Sequence, residues 1–105
     1  MIRKTYSRAG RSCRVTFTLS AEVDAQTVYL CGEFNDWDES AHPMKRRKDG
    51  SFSETVSLKS GHSYRFRYLL DGARWENDPA ADGYVSNAFG SENSVVEVRY
   101  PEISQ

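Results

Sequence analysis

Val28-Tyr29-Leu30-Cys31-Gly32-Glu33-Phe34-Asn35-Asp36-Trp37 carries an apolar run into a polar loop, and its parity decides how the chain folds. Val28, Leu30, Gly32 and Phe34 fall on one side of an extended backbone, which predicts a strand over residues 27–34 whose end Phe34 anchors in a core. Asn35 and Asp36 have short polar side chains that bond nearby backbone and tolerate unusual dihedral angles, so the chain turns there. The turn aims Trp37 away from the strand. Two fates are open to that indole: an exposed binding surface, or a lid folded back over the core.

Working outward, the most legible strand places Tyr64, Phe66, Tyr68 and Leu70 on one side and Ser63, Arg65, Arg67 and Leu69 on the other. Asp71-Gly72 turns it, and Arg74-Trp75-Glu76 returns as a short strand of the same hairpin until Asn77-Asp78-Pro79 ends the ladder. Upstream, Val15, Phe17 and Leu19 alternate with Arg14, Thr16 and Thr18, predicting a strand over 13–19. A long connection over 38–49 holds a short strand around Met44, since His42-Pro43 disfavours helix there. Lys45-Arg46-Arg47-Lys48 precedes the turn signal Asp49-Gly50 and reads as a solvated edge. Residues 51–58 alternate through Phe52, Val56 and Leu58, with Glu54 interrupting the apolar side, and Val95, Val96 and Val98 close the chain's strands. Residues 80–93 read as loop around an exposed Phe89. No segment has a helical period. Short strands separated by turn signals predict an all-β, immunoglobulin-like β-sandwich.

A chain of 105 residues makes one domain, large enough to fold without staples. Residues 1–12 are basic and lack apolar alternation, so they are expected to form a flexible arm ahead of a sandwich over 13–100 and a tail over 101–105. The arm leads into no apolar segment, so it does not read as a secretory signal, and no stretch approaches a membrane span. Cys13 and Cys31 have no metal-type spacing and opposite strand parity, so both are expected as free thiols in a reducing cytoplasm.

Catalysis is hard to assemble from these residues. Glu33, Asp36, Asp38 and Glu39 read as solvated turn carboxylates, His42 and His62 are isolated, and no nucleophile motif or phosphate loop is present. The net charge of −1 gives no field that selects nucleic acid or a membrane, so neither is expected as a partner, and no cofactor or metal is implied. A sugar fits better. Pyranose rings pack a face of C–H groups on an aromatic plate while their hydroxyls need planar donors and acceptors at the rim. Trp37 and Trp75 supply plates; Arg67 and Asn93 supply rim groups.

Val28 to Trp37, Tyr64 to Gly72, Trp75 with Asn77-Asp78-Pro79, and Asn93-Ser94-Val95-Val96 together resemble a family 48 carbohydrate-binding module. That family includes the amino-terminal domain of isoamylase and branching enzymes and the glycogen-binding domain of the AMP-activated protein kinase beta subunit. The resemblance spans residues 13–99 and implies an early-set β-sandwich that binds α-1,4-linked glucans, as glycogen, starch or malto-oligosaccharide, without catalysis. By motif, it assigns the two platform tryptophans to Trp37 and Trp75 and the basic residue to Arg67. It places the residue that presses into the sugar at Phe89, where the kinase domain has leucine, a neighbouring hydroxyl at Ser91 and an amide at Asn93. The segment from Asp71 to Trp75 is one residue longer than in the kinase domain, which could swing the second indole off the plane of the first. The expectation is a free-standing module that acts alone or brings a partner, such as a glycogen-metabolising enzyme, to the polymer. Its rival is a protein-docking or regulatory sandwich that has lost the sugar.

Overall fold

The structure, a computed structural model, describes residues 1–100. Among the described residues nine strands form two antiparallel sheets: β1 (Ile2–Tyr6), β2 (Ser12–Leu19), β3 (Val28–Gly32), β4 (Lys45–Arg46), β5 (Phe52–Lys59), β6 (His62–Leu70), β7 (Arg74–Glu76), β8 (Gly83–Ser86) and β9 (Glu92–Val98). One sheet has the order β1-β2-β5-β4. The other has β3-β6-β9-β8, with β7 added beside the last residues of β6. This is the two-layer all-β architecture expected from the alternating pattern, an early-set β-sandwich.

Alternation explains the layers. Cys13, Val15, Phe17 and Leu19 of β2 face Leu30 of β3, Phe66, Tyr68 and Leu70 of β6, and Val96 and Val98 of β9, all buried in one core. Phe17 meets Phe66 edge-on at 4.9 Å, and Phe66 meets Tyr68 at 5.7 Å. Each such side chain contributes about 1.5–3 kcal/mol by leaving water. Tyr68 brings a hydroxyl into this core and donates it to the fully buried Asp78 carboxylate at 2.7 Å, so the polar atom is satisfied. Burial, reinforced by the Asp78 charge and this bond, pushes the Tyr68 hydroxyl well above the usual phenol range.

The expected flexible arm is corrected. Ile2–Tyr6 is an edge strand paired with β2, Ile2 opposite Phe17 and Tyr6 opposite Cys13, and both apolar side chains pack against the core. The reason is the residue between them: Lys4 sits on the same parity and breaks the apolar pattern, yet it reaches Asp82 at 2.7 Å across the rim of the sandwich. Residues 7–11 turn, with Gly10 at φ 74° and the Ser7 N–H donating to the Ser12 carbonyl at 2.9 Å. The expected tail, 101–105, lies outside the described residues. The short strand expected near Met44 is β4, and the strand expected over 27–34 stops at Gly32, where a single 3₁₀ turn over Glu33–Asn35 takes over.

Candidate functional site

Each residue of Gly32-Glu33-Phe34-Asn35-Asp36-Trp37 has a separable task. A Cβ on Gly32 would lie 2.7 Å from the Arg65 carbonyl oxygen and 2.8 Å from the Phe34 ring, so only glycine fits. Phe34 reaches the core from the turn rather than from a strand, its ring 5.9 Å from that of Phe17. The Asn35 side chain replaces missing strand partners: its amide donates to the Leu30 carbonyl at 2.9 Å and its oxygen accepts from the Gly32 N–H at 3.0 Å. The same amide lies 2.8 Å from Nδ1 of His42, so that nitrogen accepts. Asp36 and Trp37 then both adopt left-handed backbone, at φ 56° and 58°, and the Trp37 N–H donates to the Gly32 carbonyl at 2.8 Å. That conformation costs a bulky residue about 1–3 kcal/mol and persists where surrounding bonds over-determine it. The backbone is bent to present the indole.

It is presented over the outer side of the β3-β6-β9-β8 sheet. Register fixes what lies there: Cys31 pairs with Arg67, and Leu69 pairs with Tyr29 on one side and Trp75 on the other. Arg65 pairs with Val95, and continuing that register sets Asn93 beside Arg67, with Val85 beyond it. Trp75 arrives through the turn of Asp71 and Gly72, at φ 53° and 68°, in which the Ala73 N–H donates to the Leu70 carbonyl at 3.0 Å. The Asp71 carboxylate accepts from Thr27 and Gln26 N–H groups, which hold its pKa below the usual range and pin the hairpin to the start of β3. The added residue leaves Trp75 on the outer parity, 38% exposed. The Arg67 guanidinium lies over its ring at 5.8 Å from the centroid, and Arg67 Nε is buried without a hydrogen-bond partner.

A third segment closes the site. Asn87 is its hub: its oxygen accepts from the N–H groups of Phe89 at 3.0 Å and Ser91 at 3.2 Å, and its amide donates to Asn93 Oδ1 at 3.2 Å. Gly90, at φ 80°, lets the loop reverse, leaving Phe89 at the tip and 93% exposed. Trp37, Arg67, Trp75, Phe89 and Asn93 line one open cavity of about 490 Å³ together with Glu33, Glu39, Arg65 and Asn87. That volume lies in the usual range for a small-molecule site. Glu33 is positioned by the Arg65 N–H, which donates to its Oε1 at 2.7 Å. Beneath the Trp37 turn, the Cys31 thiol faces the Asp38 carbonyl at 3.6 Å, and burial, aided by Glu39 and Asp38, pushes its pKa up to about 11. Both cysteines are free and buried.

The family described as the glycogen recognition site of AMP-activated protein kinase matches residues 15–104. The chain belongs to that family. It is similar to the 1,4-alpha-glucan branching enzyme GlgB of Photobacterium profundum, 37% identical over 81 residues that make up 74% of this chain and 11% of the enzyme. The corresponding enzyme of Aquifex aeolicus is 33% identical over 66 residues, 62% of this chain and 10% of the enzyme. A branching enzyme of Rhizophagus irregularis is 45% identical over 38 residues, 36% of this chain and 6% of the enzyme. The chain thus spans about a tenth of the first two relatives it matches.

Within this glycogen-recognition fold, five of the six side chains singled out from the sequence meet at one cavity, and Ser91 does not. Ser91 turns toward an adjoining hollow with Asn77, Ser86 and Glu92, and its hydroxyl bonds the Asn87 side chain. Sequence reasoning took Glu33 and Glu39 for solvated turn carboxylates and passed over Arg65 and Asn87. Arg65 had a signal, since it shares the outward parity of Arg67 in β6. Asn87 had none beyond its polar neighbourhood.

Proposed function

We propose that this module binds α-1,4-linked glucans of the glycogen or starch type without catalysis, in the cytoplasm, by stacking sugar rings on Trp37 and Trp75. The observation that carries the reading is the convergence of both indoles, the Arg67 guanidinium and the Asn93 amide, from four separate segments, on one open cavity. Arg67 serves sugar hydroxyls with donors, and its unpartnered Nε supports that role. Asn93 and the carboxylates of Glu33 and Glu39 supply acceptors at the rim, and Phe89 presses on the ring from the loop tip. Ser91 acts through Asn87, by fixing the loop that carries Phe89.

The energetics fit a weak, polymer-directed binder. Each indole that loses roughly 60–80 Å² of apolar surface to a sugar contributes about 1.5–2 kcal/mol. Two plates and a few hydrogen bonds, less the cost of association, give a short malto-oligosaccharide roughly micromolar to millimolar affinity. Glycogen offers many segments at once and raises the effective affinity. Migration in native gels with embedded glycogen tests the reading. Retardation of the wild-type chain that Trp37→Ala and Trp75→Ala each abolish is expected; unretarded wild-type protein refutes it.

A further inference from the structure

The net charge of −1 conceals a separation that only the topology exposes. Residues 1–20 and 44–61, which supply β1, β2, β4 and β5, contain ten Lys or Arg and two acidic residues, a balance of +8. Residues 21–43 and 62–100, which supply the sheet with the glucan cavity, contain four Lys or Arg and twelve acidic residues, a balance of −8. The basic excess sits largely on the strands, since β1, β2, β4 and β5 carry six Lys or Arg and one Glu, whereas the acidic excess lies in turns and loops, β3, β6, β7, β8 and β9 together carrying three Arg and three Glu.

The outer side of the β1-β2-β5-β4 sheet follows from register. Arg3 lies beside Thr16, which lies beside Thr55; Thr5 lies beside Arg14, which lies beside Ser57; Ser12 lies beside Lys59. Lys45 pairs with Ser53, and Arg47 reaches the same Ser53 hydroxyl at 3.2 Å. Arg3, Arg14, Lys45, Arg47 and Lys59 are all exposed, and among the described residues none is in an ion pair. No carboxylate stands on this parity of β1, β2, β4 or β5; Glu54 is on the opposite one, facing Phe17. The cations alternate with short hydroxyls, and Thr16 and Thr55 already share a hydrogen bond at 2.8 Å.

We propose that this side is a docking surface for an acidic protein segment, held back to back with the glucan cavity so that both are occupied at once. Five unpaired cations interleaved with hydroxyl donors complement carboxylates by charge and by hydrogen bonding. Apart from Met1 at its edge, the face carries no apolar side chain to enter a lipid surface and no aromatic plate for bases, which argues against a membrane or a nucleic acid. In its relatives the module is about a tenth of a longer chain, so protein is its ordinary neighbour there. The two functions separate: this one rests on the opposite sheet and stands whether or not sugar binds.

The test is a fluorescence-anisotropy titration of the full chain with labelled poly-L-glutamate at physiological salt, beside duplex DNA of equal charge and phosphatidylserine vesicles. Saturable binding of poly-L-glutamate is expected, tighter than to either alternative, weakened by salt, and undisturbed by saturating maltoheptaose. Arg3→Glu, Arg14→Glu and Lys59→Glu combined should weaken it about tenfold or more while leaving retardation in glycogen gels intact. Should the reversed variant fail to fold, the set Arg3→Gln, Arg14→Gln and Lys59→Gln replaces it, with a flattened salt dependence as the readout. No binding, equal or tighter binding of DNA or vesicles, displacement by maltoheptaose, or indifference to both variants overturns the proposal.

Discussion

Replacing Asn35 by alanine should disable the cavity without touching its lining. Asn35 lines no part of it; its side chain satisfies the Leu30 carbonyl and the Gly32 N–H, both in buried residues, and so fixes the turn that sets Trp37. Leu30 directs its N–H to the His42 carbonyl at 2.9 Å, so its strand edge has a backbone partner on one group, and Asn35 supplies the other. Removing the amide leaves two buried backbone groups without partners, at about 1–1.5 kcal/mol each, or about 2–3 kcal/mol in all. For a domain of this size that lowers Tm by roughly 10–20 °C. The left-handed backbone at Asp36 and Trp37 then keeps its backbone bond to Gly32 but loses the side-chain bonds that anchor the turn to β3, and the indole leaves its presented position.

The assay pairs a urea titration with malto-oligosaccharide calorimetry under conditions where the variant remains folded. The expected result is a folded Asn35→Ala protein with glucan affinity reduced at least tenfold. Asn35→Asp keeps the acceptor for Gly32 but loses the donor to Leu30, and should fall between the two. Asn35→Ala with unchanged Tm and unchanged affinity would refute the argument that this side chain positions Trp37.

Phe89→Ala should leave stability within about 0.5 kcal/mol, because the ring is 93% exposed, yet weaken glycogen retardation; a change in Tm without a change in retardation would reverse its assignment. Arg67→Gln should lower malto-oligosaccharide affinity about tenfold, a loss read by calorimetry that a purely structural arginine would replace with a lowered urea midpoint. Gly32→Ala should destabilise the chain by about 1–3 kcal/mol, since its methyl meets the Arg65 carbonyl at 2.7 Å, measurable by urea titration. The Cys31 thiol ionises near pH 9 when unfolded and near 11 when folded, so the unfolded state loses its proton first and stability falls between those values. About 2–3 kcal/mol should disappear across that window, and Cys31→Ala should flatten the alkaline limb of the Tm profile.

The strands with one wet and one dry side were legible because alternation is a local property: β2 and β6 could be read residue by residue, core side and outer side alike. β1 was not, because Lys4 takes a core-side position and is neutralised by Asp82, 78 residues away. The same distinction runs through the site. Trp37 and Trp75 declared themselves as large apolar residues in polar company, although the sequence left open whether Trp37 forms a surface or a lid and whether Trp75 shares its plane. Ser91 lies outside the cavity because motif spacing gives a position along the loop, whereas the direction of its hydroxyl is set by the bonds of Asn87.

Asn35 and Asn87 share a logic that composition hides. Each looks like an ordinary turn residue, and each binds several backbone groups around its turn so that an aromatic side chain, half-buried Trp37 or exposed Phe89, lines the cavity. A stacking surface must stay uncovered to bind, so it cannot be fixed by burial. The side chains that fix it have to be polar, short and local, and their specificity lies in bond geometry rather than in hydrophobic period. Charge behaves alike. A balance of +8 in the segments that supply one sheet and −8 in the segments that supply the other sums to nearly nothing along the chain, because blocks 1–20 and 44–61 alternate with blocks 21–43 and 62–100. Pairing β2 with β5 across that interval gathers the basic strands into one sheet, in the layer opposite the cavity, and gives that layer a charge the linear sequence does not reveal.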